Sequence, residues 1–197
     1  MGVFDKIQSQ AAQAAQPVGQ AAAGPGQHAG MSASVVFADI PENVDQMAAL
    51  PQAALASPAD TAALFVTALC VYPLSKDDCV AMINFLKGPA QLSNMDISFL
   101  SDRMRQNGKA PYLGASYFHG ASPDNEYTPS QPYTIYVADN PYSYDNQGYV
   151  KLFVKSAGGD SPRGITMRQA KDGKWYLWEY STLLTDIRPP ESTNPWA

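Results

Sequence analysis

From Asn43 to Gln106 the apolar side chains return every three or four residues, and from Pro132 onward they return every second residue. The first spacing gathers apolar groups on one side of a helix and the second on one side of a strand. The chain therefore predicts helices first and strands after them. Ser57-Pro58-Ala59-Asp60 is a helix start: a serine that can accept a free first-turn N–H, a proline at the first helical position, and a carboxylate beyond it. Ser75-Lys76-Asp77-Asp78 and Ser93-Asn94-Met95-Asp96 repeat the logic. The helix over about 58–72 carries Leu64, Phe65, Leu69, Cys70 and Tyr72 with no charge after Asp60, so it should be the central, most buried one. The helix over about 76–87 collects Cys79, Met82, Ile83 and Leu86 on one face and stops at Gly88-Pro89, with Gly88 as a left-handed cap. The third, over about 94–106, buries some of Ile97, Phe99, Leu100 and Met104 and ends at Asn107-Gly108. A short leading helix over 43–50 offers Val44, Met47 and Leu50 on one side.

Residues 109–132 read as a long loop, with Pro111, Pro123, Pro129 and Pro132 among Gly, Ser, Asn and Asp. Strands are expected over 133–138, 149–156, 164–170 and 174–180, joined by turns short enough to make neighbours antiparallel. Asp172-Gly173 predicts a two-residue type I′ turn. That turn sets Gln169 opposite Tyr176, Met167 opposite Trp178 and Ile165 opposite Tyr180. Tyr176, Trp178 and Tyr180 then pack on the helices, while Arg168, Trp175, Leu177 and Glu179 lie outward, with Arg168 diagonal to Trp175 and Glu179, close enough for cation–π stacking and an ion pair. A short helix over 181–187 follows, and Trp196 is expected to dock back on the domain. The fold class is α+β: N-terminal helices packed on a four-stranded antiparallel β-meander in two layers, preceded by a flexible tail.

Charge divides the chain further. Between Ile7 and Ala38 there is no Asp, Glu, Lys or Arg, and the stretch is rich in Ala, Gln, Gly and Ser. Residues 17–39 are accordingly read as a flexible linker. Residues 1–16 are read as a short amphipathic helix, with Phe4, Ile7, Ala11 and Ala14 or Ala15 at helical spacing, and residues 40–197 as a single α+β domain. The 197 residues carry 13 basic and 18 acidic groups, a net charge of −5, with seven basic and four acidic groups in 149–188. A local excess of that size on an acidic chain is a poor nucleic-acid footprint, so no nucleic-acid partner is expected. The uncharged apolar run from Thr61 to Ser75 is shorter than a membrane span. Met1 to Lys6 lacks a secretory pattern and has Lys6 where a myristoylation start wants Ser or Thr, so a cytoplasmic location is expected.

From about residue 50 to its end the chain resembles an uncharacterised bacterial domain of unknown function common in Firmicutes. Ala63-Leu64-Phe65, Leu69-Cys70 and Tyr72-Pro73 carry the resemblance, with Asn84-Phe85-Leu86-Lys87-Gly88-Pro89 and Tyr127-Thr128-Pro129-Ser130. Pro132-Tyr133-Thr134, Asn140-Pro141-Tyr142, the run from Lys155 to Arg163, and Trp178-Glu179-Tyr180-Ser181 complete it. The opening Met-Gly-hydrophobic-Phe-Asp-Lys also resembles longer members of that family. The resemblance implies no activity, cofactor or site residue.

The chemistry-bearing residues are few. Cys70 and Cys79 read as small apolar groups in packed helices, without a second ligand at metal spacing. The two histidines are His28, in the linker, and His119, in the loop Tyr117 to Asp124. No catalytic, cofactor or metal residue is assigned, since no nucleophile elbow, phosphate loop or calcium loop is complete. Eight of the eleven tyrosines fall between Tyr112 and Tyr149. They read either as packing for the proline-rich loops or as a contact surface. The candidate contact surface is Tyr142, Tyr144, His119, Arg168 and Trp175. The leading reading is a non-catalytic binding or adaptor module that meets a protein partner through the N-terminal helix or the Tyr-rich loops. The rival is a small-molecule-binding protein or enzyme of cone-like fold, which requires His119, Asp124, Tyr142 or Arg168 to converge on one pocket.

Overall fold

A helix with no polar side has to be covered from every direction. In the computed structural model, which describes residues 2–11 and 31–193, helix α3 (Pro58–Val71) is that helix: every residue from Thr61 to Val71 is buried. The Ser57 hydroxyl accepts the Ala59 N–H at 3.2 Å, capping its start. Its two buried hydroxyls are satisfied, Thr61 donating to the Trp175 carbonyl at 2.6 Å and Thr67 to the Leu64 carbonyl at 2.8 Å. The remaining helices are α1 (Val3–Ala11), α2 (Val44–Ala48), α4 (Lys76–Lys87), α5 (Asn94–Arg105) and α6 (Ala110–Leu113). Asn43, Ser75 and Ser93 cap α2, α4 and α5 through their side chains, and Asp96 completes a capping box with Ser93. Helix α4 ends at Gly88, whose φ of +56° and ψ of −122° exclude other residues; a Cβ there would lie 2.4 Å from the Tyr176 ring.

Strands β1 (Met31–Phe37), β2 (Tyr133–Ala138), β3 (Tyr149–Val154), β4 (Arg163–Gln169) and β5 (Trp175–Glu179) form one antiparallel sheet in that order. Val35 and Phe37, Ile135 and Val137, Leu152 and Val154, Ile165 and Met167, and Leu177 are buried on its inner side, and α3 touches all five strands. The α+β architecture, helices against an antiparallel sheet, is the expected one. The strand count is corrected from four to five. The added strand, β1, lies in the stretch read as linker 17–39 and pairs with β2 from Met31↔Ala138 to Phe37↔Tyr133. Its alternation is short and uncharged, and its partner lies about a hundred residues away in sequence, so local pattern alone cannot show it. Residues 12–30, which hold the end of the expected N-terminal helix, the first part of the expected linker and His28, lie outside the described residues, as does Trp196.

The β4–β5 hairpin departs from the expected register. Gly173 alone in the turn has positive φ (+83°). Its N–H donates to the Ala170 carbonyl at 3.0 Å, and the Ala170 N–H to the Lys174 carbonyl at 2.9 Å. The loop is therefore three residues, Lys171 to Gly173, with glycine at the left-handed position. One extra loop residue moves every partner by one: Gln169 faces Trp175, Arg168 faces Tyr176 and Met167 faces Leu177. Trp178 has no partner, since Thr166 pairs with Glu179, and this bulge undoes the shift before Tyr180. Leu177 is thus the buried residue and Trp178 the exposed one, the reverse of the expectation.

Two further segments are pinned to the domain. The apolar face of α1 is internal, with Val3, Phe4 and Ile7 buried. The Phe4 ring sits edge-on to Phe118 at 5.4 Å and tilted against Tyr133 at 5.1 Å, and Lys6 Nζ reaches Glu42 Oε1 at 2.6 Å. The long loop after α5 is less irregular than expected, since it holds α6 and short 3-10 turns at Ala115–Tyr117 and Pro123–Asn125. Its tyrosines tie it to the C-terminal segment: Tyr117 donates to the Leu183 carbonyl at 2.8 Å and Tyr127 to the Arg188 carbonyl at 2.5 Å. The expected helix over 181–187 is one 3-10 turn, Ser181–Leu184.

The ammonium of Lys109, 1% exposed, meets Asp186 Oδ1 at 2.6 Å, and Asn107 donates to the other carboxylate oxygen at 2.8 Å. Removing the carboxylate leaves a buried cation without its counter-charge. Asp186→Ala should lower unfolding free energy by about 2 kcal/mol, the half-exposed carboxylate keeping the loss below that of a fully buried pair. Lys109→Met should cost less than Asp186→Ala, and urea denaturation of both variants measures the difference.

Candidate functional site

The inward alternation that fills the core fixes what the sheet shows on its other side. On β3, Val150, Leu152 and Val154 point in, so Tyr149, Lys151 and Phe153 point out. Across the β3–β4 ladder Tyr149 faces Arg168, Lys151 faces Thr166 and Phe153 faces Gly164. The bulge in β5 brings Trp178 to the same side. The Arg168 guanidinium lies 5.1 Å from the Trp178 ring centre and 5.6 Å from that of Tyr149, and the two rings meet edge-to-face at 5.7 Å. Lys151 Nζ lies 5.7 Å from the centre of the Phe153 ring. Gly164 makes room for that lysine, because a Cβ at Gly164 would come within 2.7 Å of Lys151 Cε.

The loop 139–148 adjoins this face. The Ser143 hydroxyl accepts the Asn140 N–H at 2.9 Å, and the Ser143 carbonyl accepts the Lys151 N–H at 3.0 Å, which moors the loop to β3. Ser143 is buried, whereas its neighbours Tyr142 and Tyr144 are 76% and 59% exposed. His119 is exposed and held by its backbone, its N–H donating to the Thr134 carbonyl at 2.8 Å and its carbonyl accepting the Ser130 N–H at 2.9 Å. Its ring stands edge-on to Tyr136 at 5.5 Å. An open cleft of about 300 Å³ lies there, lined by Tyr117, Phe118, His119, Tyr136, Lys155 and Ala157 among others. A second cleft, of about 350 Å³, lies where α1 begins, between Gly2, Asp39, Glu42 and Gln46.

Of the expected contact residues, Tyr142, Tyr144 and His119 are exposed, and Arg168 is exposed with aromatic partners. Its partner is Trp178 rather than Trp175. Trp175 is half-buried and bonded inward, its N–H donating to the Leu55 carbonyl at 2.9 Å and its carbonyl accepting from Thr61. No ion pair joins Arg168 and Glu179; the Glu179 carboxylate accepts the Ser181 N–H at 2.8 Å. His119 lines its cleft without Asp124, Tyr142 or Arg168, so the two clefts do not gather the set that the pocket reading requires. Tyr149, Lys151, Phe153 and Trp178 stand outside the contact set that the sequence suggests. The first three are legible in the period-two alternation of Tyr149 to Val154, while Trp178 depends on the loop length and the bulge. Cys70 and Cys79 are free and buried, and burial pushes both thiols well above their ordinary range. Among the described residues no His, Cys, Asp and Glu cluster could hold a metal ion, and no helix is long and apolar enough to cross a membrane.

Helices on one side of a five-stranded antiparallel sheet, with an aromatic and cationic face on the other, define the class of domain. Residues 39–191 match the family described as Domain of unknown function (DUF6935), and the chain belongs to that family. No curated protein and no solved structure matches the chain.

The contact of Arg168 with Trp178 is measurable as a coupling. In a double-mutant cycle of Arg168→Ala and Trp178→Ala, followed by urea denaturation, the interaction energy should be about 0.5–1 kcal/mol, as for an exposed cation–π pair.

Proposed function

We propose that this domain is a non-catalytic binding module that contacts a protein partner through the outward sheet face and the loop 139–148. The observation that carries the reading is the concentration of exposed rings there, Tyr142, Tyr144 and Trp178, beside the Arg168 guanidinium, which is braced by Trp178 and Tyr149. Tyrosine and tryptophan give a large contact area with a polar edge, and with arginine they are the residues enriched at protein interfaces. The N-terminal helix contributes less to such a surface, because Val3, Phe4 and Ile7 are spent on its own domain. The reading takes the protein as bacterial and cytoplasmic; its two free, buried cysteines fit a reducing compartment.

A photo-crosslinking phenylalanine analogue placed at position 142 or 178 of the full chain tests this in a lysate of the source cells, with position 95 as control. Met95, on α5, is 81% exposed and lies outside the proposed surface. Positions 142 and 178 should capture one common partner that position 95 does not. Identical captures at all three positions, or none, would contradict the reading.

A further inference from the structure

Along β3 the outward side chains alternate in kind: Tyr149, Lys151, Phe153, and beyond the strand end Lys155. Arg168 stands opposite Tyr149, at one end of this row. Lys155 lines the cleft that also holds Tyr136 and His119, at the other. Six residues of strand at about 3.3 Å each make the row roughly 20 Å long, the length of an extended peptide of about six or seven residues. The outward positions of β2, β3 and β4 include no carboxylate; Glu179 on the edge strand β5, opposite Thr166, is held by the Ser181 N–H. Lys151, Lys155 and Arg168 make no ion pair among the described residues. A chain of net charge −5 thus presents a cationic row on one face of its sheet.

We propose that this row docks an extended acidic peptide segment of a protein partner, with Arg168, Lys151 and Lys155 receiving its carboxylates. The inference rests on the binding-module reading and names the chemistry of the partner. Carboxylates at every second position of an extended peptide share one side and repeat at about 7 Å, the repeat of the side chains on β3. The guanidinium of Arg168 offers a planar fork that suits a carboxylate, and its stacking on Tyr149 and Trp178 limits the freedom it would lose on binding. Single-stranded nucleic acid is the other polyanion that mixed aromatic and basic surfaces take, and it needs free ring faces for its bases. Within the row the rings are engaged already: Arg168 lies over Tyr149 and Trp178, Lys151 lies over Phe153, and Tyr136 meets His119, while the exposed rings of Tyr142 and Tyr144 stand on the adjoining loop rather than along the row. The row is therefore better suited to carboxylates than to bases.

The test is fluorescence anisotropy at low salt with the full chain and a fluorescein-labelled octapeptide of alternating glutamate and glycine. An eight-nucleotide oligo-dT and a lysine–glycine octapeptide serve as comparators. The acidic peptide should bind saturably and more tightly than either comparator. Lys151→Glu, Lys155→Glu and Arg168→Glu should each weaken it about tenfold, Lys151→Gln and Arg168→Gln by less, and Lys76→Glu on α4 not at all. All three row residues are exposed, and far-UV circular dichroism confirms that each variant is folded before it is titrated. Tighter binding of oligo-dT, or peptide binding indifferent to the row variants, would overturn the proposal. So would absence of peptide binding: if the crosslinks from positions 142 and 178 persist, the binding module stands and only its acidic partner falls, whereas loss of both removes both.

Discussion

Burial of α3 on all sides is the constraint from which the other features follow. From Thr61 to Val71 the helix is built from Ala, Leu, Phe, Val, Thr and Cys and has no face fit for water, so the sheet must cover one side and the other helices the rest. All five strands lie against it, and each commits its inward side chains to that contact. The outward side of the same strands is thereby left for solvent or a partner. The candidate surface is in this sense a by-product of the core, because a period-two strand that buries Val150, Leu152 and Val154 has to present Tyr149, Lys151 and Phe153.

The tyrosine-rich stretch serves both of the purposes that its composition admits, by different residues. Tyr117, Tyr127 and Tyr133 are buried, and the hydroxyls of the first two donate to backbone carbonyls of the C-terminal segment. Tyr112 stacks on Tyr127 at 5.3 Å. These rings convert a proline-rich loop into part of the packed domain, and the buried Lys109–Asp186 pair fastens the same two segments. Tyr142 and Tyr144 flank a buried Ser143 instead and stay in solvent. Turn hydrogen bonds around Asn140 and Ser143 hold the loop that carries them.

Helix positions were legible because their starts are local: Ser57, Ser75 and Ser93 cap as their sequence context indicates. The inward faces of β2 and β3 were legible for the same kind of reason, strict alternation over six residues. What escaped was set by distant or fine geometry. Strand β1 exists through a partner about a hundred residues away, and α1 gains its burial from Phe118 and Tyr133 rather than from its own pattern. In the β4–β5 hairpin Asp172-Gly173 marks a turn correctly, yet both a two-residue and a three-residue loop accept that pair. The choice between them decides whether Trp175 or Trp178 stands beside Arg168. The exposure of Arg168, Tyr142 and Tyr144 needed no such choice and is legible in the sequence.

Native-state hydrogen exchange across a urea series bears most directly on the dependence of the fold on α3. The amides of Ala62–Cys70 should exchange only through global unfolding, with opening free energies that fall with urea as the global stability does. Exchange of α3 through a smaller opening, while β2, β3 and β4 stay protected, would show that the sheet persists without the helix it is built around.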